Sequence, residues 1–166
     1  MSEYHRLIEE FETGGEKLRA AVAELTREEA LVRPGPGTWS VQELVIHLAD
    51  SDAIVIDRMK RIITEHNPTL LRADEEAYAE RLHCDAQSLD DAVTLFDLNR
   101  RQFARVLREL DDSEFQRFGT HEDLGQVTLA ALIKHYSGHL DHHLKFLEAK
   151  LARLRRTVDE SPQRGR

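Results

Sequence analysis

Cysteine is almost missing from these 166 residues. With Cys84 alone, no intramolecular disulfide can form and every cysteine-based structural zinc pattern is excluded; any metal would have to be held by histidines and carboxylates. Aromatic residues make up 6% of the chain, and glycine and proline number only eight and four. The apolar content is therefore carried by Leu, Ile, Val and Ala, which excludes a turn-rich β-sandwich and favours helices. No run of 18 or more apolar residues occurs, and the charged start MSEYHRLIEEFETGG has no apolar leader core. A membrane span and a secretory leader are thus not expected, and the cytoplasm is the expected compartment. Positive charge is also short, with 23 Lys and Arg against 31 Asp and Glu, for a net charge of −8. No basic stripe with interleaved aromatics offsets it, so nucleic acid is not an expected partner.

What is present is helical periodicity, in four segments that fit one domain over residues 1–156, followed by a polar tail, 157–166, expected to fray. The first segment runs from about Ser2 to Leu25, with Leu7, Ile8, Phe11, Leu18, Val22 and Leu25 on one face and Gly14-Gly15 as a candidate kink. A Pro/Gly connection, 33-RPGPGTWS-40, leads to Ser40 and Glu43, the S-x-x-E pattern of a capping box, opening a second helix over about Val41–Ile63. Residues 64–87 carry no long periodic run, though 74-DEEAYAE-80 can form a turn or two of helix. The third helix spans about Leu89–Leu110, with Val93, Phe96, Phe103, Val106, Leu107 and Leu110 as its core face. An irregular stretch, 111–127, precedes Thr128, the expected cap of a fourth helix over about Leu129–Leu154. A link of some 24 residues between helices two and three can run the length of a bundle, which predicts an all-α, up-down-down-up four-helix bundle.

The segment 135-HYSGHLDHHLKFL-147 holds four of the chain's nine histidines. Residues four apart share a helix face, so His135/His139 and His139/His143 are competing metal-binding pairs. At about 100° per residue, Leu129, Ile133, Tyr136, Leu140, Leu144, Leu147 and Leu151 define the inward stripe. His143 lies within it and His139 on its edge, whereas His135 and His142 fall outside. Two buried imidazoles in register are costly without a shared partner, and an i,i+4 pair leaves a third ligand to be found. His47, in 39-WSVQELVIHLADSD-52, is the candidate, although it sits on a flank roughly 120° from the second helix's stripe of Val41, Leu44, Val45, Leu48, Val55, Met59 and Ile62. Asp50 and Asp52 follow it; Asp52 falls on the apolar side, where it can orient a ligand histidine or pair with an arginine. Cys84 reads as a small apolar filler.

Taken together, 34-PGPGTWSVQELVIHLADSD-52, 95-LFDLNRRQF-103 and 120-THEDLGQVTLAALIKHYSGHLDHHLKFL-147 resemble, in order and spacing, the DinB-like superfamily of four-helix-bundle metalloproteins. The resemblance implies a divalent metal, Zn²⁺ or Ni²⁺, on His47 from helix two and His139 and His143 from helix four. Lys145-Phe146 departs from the small residue or Arg, then Gln, of many relatives. It further implies an enzyme that brings a low-molecular-weight thiol such as bacillithiol or mycothiol to the metal, as an S-transferase or in related hydrolase or isomerase chemistry on a small-molecule substrate, and a homodimer. Three neutral imidazoles leave the ion its full charge, suited to activating a nucleophile. Two other readings stay open. In one, a non-catalytic bundle uses the ion to tie helices together around a small ligand or as a sensor, with His135, His142, Asp50 or Asp52 as fourth ligand; in the other, a metal-free bundle dimerises at a histidine-lined seam.

Overall fold

The structure, a computed structural model, describes residues 4–159. The first long segment is divided into α1 (His5–Glu12) and α2 (Gly14–Val22), and a short α3 (Arg27–Leu31) follows. The glycine pair acts through proximity rather than flexibility. A Cβ on Gly14 would lie 2.5 Å from Arg100 Nη1, and one on Gly15 would lie 2.7 Å from the Cα of Asp97, so only glycine lets this segment approach its neighbour. The second long helix, α4 (Val41–Thr64), opens at Ser40, with the expected reciprocal box: Ser40 Oγ accepts the Glu43 amide and the Glu43 carboxylate accepts the Ser40 amide. The connection then forms β1 (Thr69–Leu70), α5 (Glu75–Arg81), capped by Asp74, and a 3₁₀ turn at Cys84–Ala86. After α6 (Leu89–Arg108) come a 3₁₀ turn at Asp112–Gln116, β2 (Phe118–His121), β3 (Gly125–Thr128) and α7 (Leu129–Asp159).

The two core clusters establish the direction of every long helix. One end of the bundle joins Ile8 and Phe11 to Val55, Met59 and Ile62, to Phe103 and Leu107, and to Leu129 and Ile133. The other joins Leu18 and Val22 to Val41, Leu44 and Val45, to Val93 and Phe96, and to Leu140 and Leu147. The α1–α2 segment and α7 therefore run one way, α4 and α6 the other, which is the up-down-down-up order. The α4–α6 connection crosses the full bundle, from Leu70 in the first cluster to Cys84, buried as expected, in the second.

Two expectations are corrected and one is extended. The all-α bundle is borne out and carries in addition a small three-stranded sheet, in which β1 pairs parallel with β2 and β2 antiparallel with β3. The sheet was hidden because β1 is two residues long and finds its partner some fifty residues away, out of range of any local alternation. Val106 is exposed and Leu110 only half-buried, because the buried face of α6 runs through Phe96, Arg100, Phe103, Ala104 and Leu107. Finally, α7 does not end at Leu154 but runs to Asp159, so the expected tail begins inside a helix; residues 160–166 lie outside the described residues. No helix among the described residues is long and apolar enough to cross a membrane.

Candidate metal centre

The turn-by-turn geometry of α7 sets His139 and His143 one above the other, with Nε2 atoms 3.1 Å apart. The flank of α4 that carries His47 faces α7, so His47, off the apolar stripe of its own helix, is 7% exposed. Its ring centroid lies 5.4 Å from that of His139 and 4.9 Å from that of His143. Trp39, just before the α4 cap, packs its ring against that of His47 with centroids 5.0 Å apart. One ring nitrogen from each of the three histidines falls within a set spanning no more than 4.8 Å. Among the described residues, no other group of three or more histidines, cysteines or carboxylates is so compact.

Burial dominates the electrostatics. It lowers His47 to about 4, with help from His143, and His139 to about 3, with help from His143, His47, His135 and Arg100. His143 is lowered for the same reason, with His142 adding to the effect. All three rings are thus neutral at pH 7, the form in which imidazole ligates a metal. The 3.1 Å between His139 and His143 fits as well, since two nitrogens each about 2.0–2.1 Å from a common ion lie about 2.9–3.4 Å apart at near-octahedral to tetrahedral angles. The donor set accordingly suits a borderline divalent ion such as Zn²⁺ or Ni²⁺.

The other sequence candidates separate cleanly. His135 and His142 are exposed and outside the compact set, and His142 stacks edge-on against Phe146. Asp52 does not orient a ligand histidine. It is 1% exposed, and its Oδ1 accepts a hydrogen bond from Arg100 Nε at 2.8 Å, the arginine-paired alternative. Asp50 is half-buried, its carboxyl raised by burial, and borders the space beside His47 with Ser51, Ile54 and Glu75.

Two features escaped the sequence reading. Glu75, at the start of α5, places Oε2 3.9 Å from His47 Nε2, and burial raises its carboxyl. It belongs to a connection with no long period, so nothing local marked it. Arg100 had a usable signal that a pattern of apolar residues passes over: it falls at i+4 from Phe96 and i−3 from Phe103 on the core face of α6. Its guanidinium lies between the rings of Phe11 and Phe96, 4.6 and 4.2 Å from their centroids, and donates to Asp52 and to the Phe11 and Tyr136 carbonyls. Because Asp52 is five residues beyond His47 and Tyr136 three before His139, this one side chain clamps the two helices that carry the three histidines.

Comparison with known proteins is consistent with this arrangement. Over 137 residues, 82% of this chain and 79% of the relative, the sequence is 29% identical to an Oceanobacillus iheyensis protein named "Putative metal-dependent hydrolase OB0782". It is likewise 29% identical over 147 residues, 89% of this chain and 84% of the relative, to a Bacillus cereus protein named "Putative metal-dependent hydrolase BCE33L2441". Among solved structures, YfiT from Bacillus subtilis, described as "a probable metal-dependent hydrolase with an unusual four-helix bundle topology", superposes with a TM-score of 0.82 at 27% identity, over 97% of this chain and 91% of that one. The family model of the DinB superfamily matches residues 10–147. Sequence, bundle topology and family model agree, and the chain belongs to the DinB superfamily.

Proposed function

We propose that this protein is a metal-dependent enzyme in which His47, His139 and His143 hold one divalent ion, Zn²⁺ or Ni²⁺, that activates a small nucleophile. The observation that carries this reading is the convergence of three neutral, half-buried to buried histidines from two helices, with no fourth side chain in their compact set among the described residues. A structural site closes on four protein ligands, whereas a catalytic one keeps a position open. When bound, the ion supplies Lewis acidity at that open position. The chain's own residues do the rest. Arg100 keeps α4 and α7 at the spacing the three ligands need, Trp39 packs against the His47 ring, and Glu75 lies beside His47, where it can accept a proton from a nucleophile entering the site.

Hydrolysis, with water as the nucleophile, is the reading closest to the names of the relatives. Transfer of a low-molecular-weight thiol such as bacillithiol or mycothiol is the same chemistry with sulfur in place of oxygen, and the three-histidine set serves either. Elemental mass spectrometry on untagged protein tests the proposal. About one divalent ion per chain is expected in the wild type, lost in both His47→Ala and His143→Ala. Wild type that stays metal-free and folded after incubation with Zn²⁺ and Ni²⁺ would refute it. Loaded protein is then assayed on ester and amide substrates, with and without added thiol, to separate the two nucleophiles. We also propose a homodimer, for which exposed Leu95 and Leu98, on one side of α6, offer apolar surface.

A further inference from the structure

Beside the histidine cluster, between α4, α7 and the small sheet, lies a cavity of about 530 Å³. It adjoins the space next to His47: Ser51, Ile54 and Glu75 line both. His135 and Tyr136, one turn before His139, form its α7 wall. Apolar surface comes from Ile54, Leu132 and Val127, and polar surface from Arg58, Arg72 and His121.

Arg58 is the unusual member. It is 7% exposed, yet among the described residues no carboxylate oxygen lies within 4.0 Å of it. Its Nη1 donates to the Tyr136 hydroxyl at 2.9 Å and its Nη2 to the Leu71 carbonyl, while Nε is buried without a partner. A guanidinium is always charged, and burying one without an opposite charge is costly unless a ligand supplies it. The nearby carboxylate of Glu75 feels the Arg58 charge but lies against His47 instead. Arg72, exposed at the mouth, adds a second positive charge, and Asp123 is the other carboxylate of the lining. His121, 8% exposed, accepts the Asp123 amide at Nδ1, so its neutral ring carries its proton on Nε2 and is a hydrogen-bond donor.

We propose that this cavity is the substrate-recognition pocket of the metal centre, and that it takes a small molecule whose carboxylate is anchored by Arg58. The apolar body of such a molecule packs against Ile54, Leu132 and Val127, and its reacting bond extends past Tyr136 toward His139. The Tyr136 ring spans that interval, bonded to Arg58 through its hydroxyl and 5.6 Å from the His139 ring. As a substrate assignment, the inference rests on the metal-enzyme reading above.

The test compares 4-phenylbutyrate with its neutral isostere 4-phenylbutyramide by isothermal titration calorimetry at low salt, with metal content measured on the same samples. For wild type, the acid is expected to bind about tenfold or more tightly than the amide, the scale of one charge-assisted hydrogen bond. That preference should fall below about twofold in Arg58→Gln while the metal is retained. Ala131→Phe, which fills the cavity from the exposed side of α7 without touching Arg58, should weaken both probes and gives a second reading if Arg58→Gln does not fold. A preference that persists in a folded Arg58→Gln, equal binding of the two probes by wild type, or no binding of either at millimolar concentration each overturns the proposal. An acid preference in a protein that takes up no metal would uphold the pocket and reject the enzyme.

Discussion

Replacing Arg100 with methionine keeps most of the side-chain volume between Phe11 and Phe96 but leaves the Asp52 carboxylate, 1% exposed, without its cation. Breaking a buried pair from one side costs about 3–5 kcal/mol, a large share of the 5–15 kcal/mol typical of a domain. The carbonyls of Phe11 and Tyr136 add little, because Phe11 also accepts the Thr13 amide and Tyr136 lies inside a helix. Removing both partners, in Asp52→Ala with Arg100→Met, eliminates the orphaned charge. The double variant should therefore be more stable than Arg100→Met alone by about 2 kcal/mol or more, a non-additivity that a double-mutant cycle reads directly. The pH dependence has a definite sign. Burial already holds Asp52 up at about 6 against the opposing pull of Arg100, and losing the arginine raises it further. A group raised in the folded state binds its proton more tightly there than in the unfolded chain, so the deficit of Arg100→Met relative to wild type should shrink as pH falls from 8 to 5. Urea unfolding at both pH values, followed by helical circular dichroism, is the assay. A loss below about 1 kcal/mol at pH 8, or single-variant effects that simply add, would refute the clamp.

Three further outcomes follow from the same geometry. In metal-free protein, His47 and His139 are lowered in the fold relative to the unfolded chain, so stability should be lost as pH falls from about 6.5 through about 4, and the loss should be shallower in His139→Leu, as measured by urea midpoints. Adding Zn²⁺ or Ni²⁺ at 100 times its dissociation constant should stabilise the wild type by about 2.7 kcal/mol, and His143→Ala should show no such rise in thermal unfolding; an equal rise in both would place the ion elsewhere. Gly15→Ala, whose new methyl would meet the Asp97 backbone, should cost about 1–3 kcal/mol despite alanine's better helix propensity; a stabilised variant would show that α2 does not need this close approach to α6.

Much of the bundle was readable because its elements are written in local periods. The capping box at Ser40, the core faces of the long helices and the inward pair His139 and His143 all follow from the 3.6-residue repeat, which relates residues only a few positions apart. The same repeat argued against His47, since a stripe describes one apolar face and cannot say that a flank will meet a second helix. The DinB resemblance supplied what the angle withheld. Arg100 and Arg58 illustrate a different failure: both lie at core-facing spacings, but their charge hid them from a pattern counted in apolar residues.

The sequence by itself determined four helices, their approximate limits, the absence of disulfides and cysteine-bound metal, and which two histidines of α7 look inward, because these depend on residue type and near-neighbour spacing. Only the tertiary structure decided that the His47 flank of α4 packs against α7, that Glu75 lies beside it and that Asp52 serves Arg100 rather than a histidine. It alone also revealed the small sheet and the pocket where Arg58 stands without a counter-charge. Each of these joins residues tens of positions apart, so each exists only once the helices have packed.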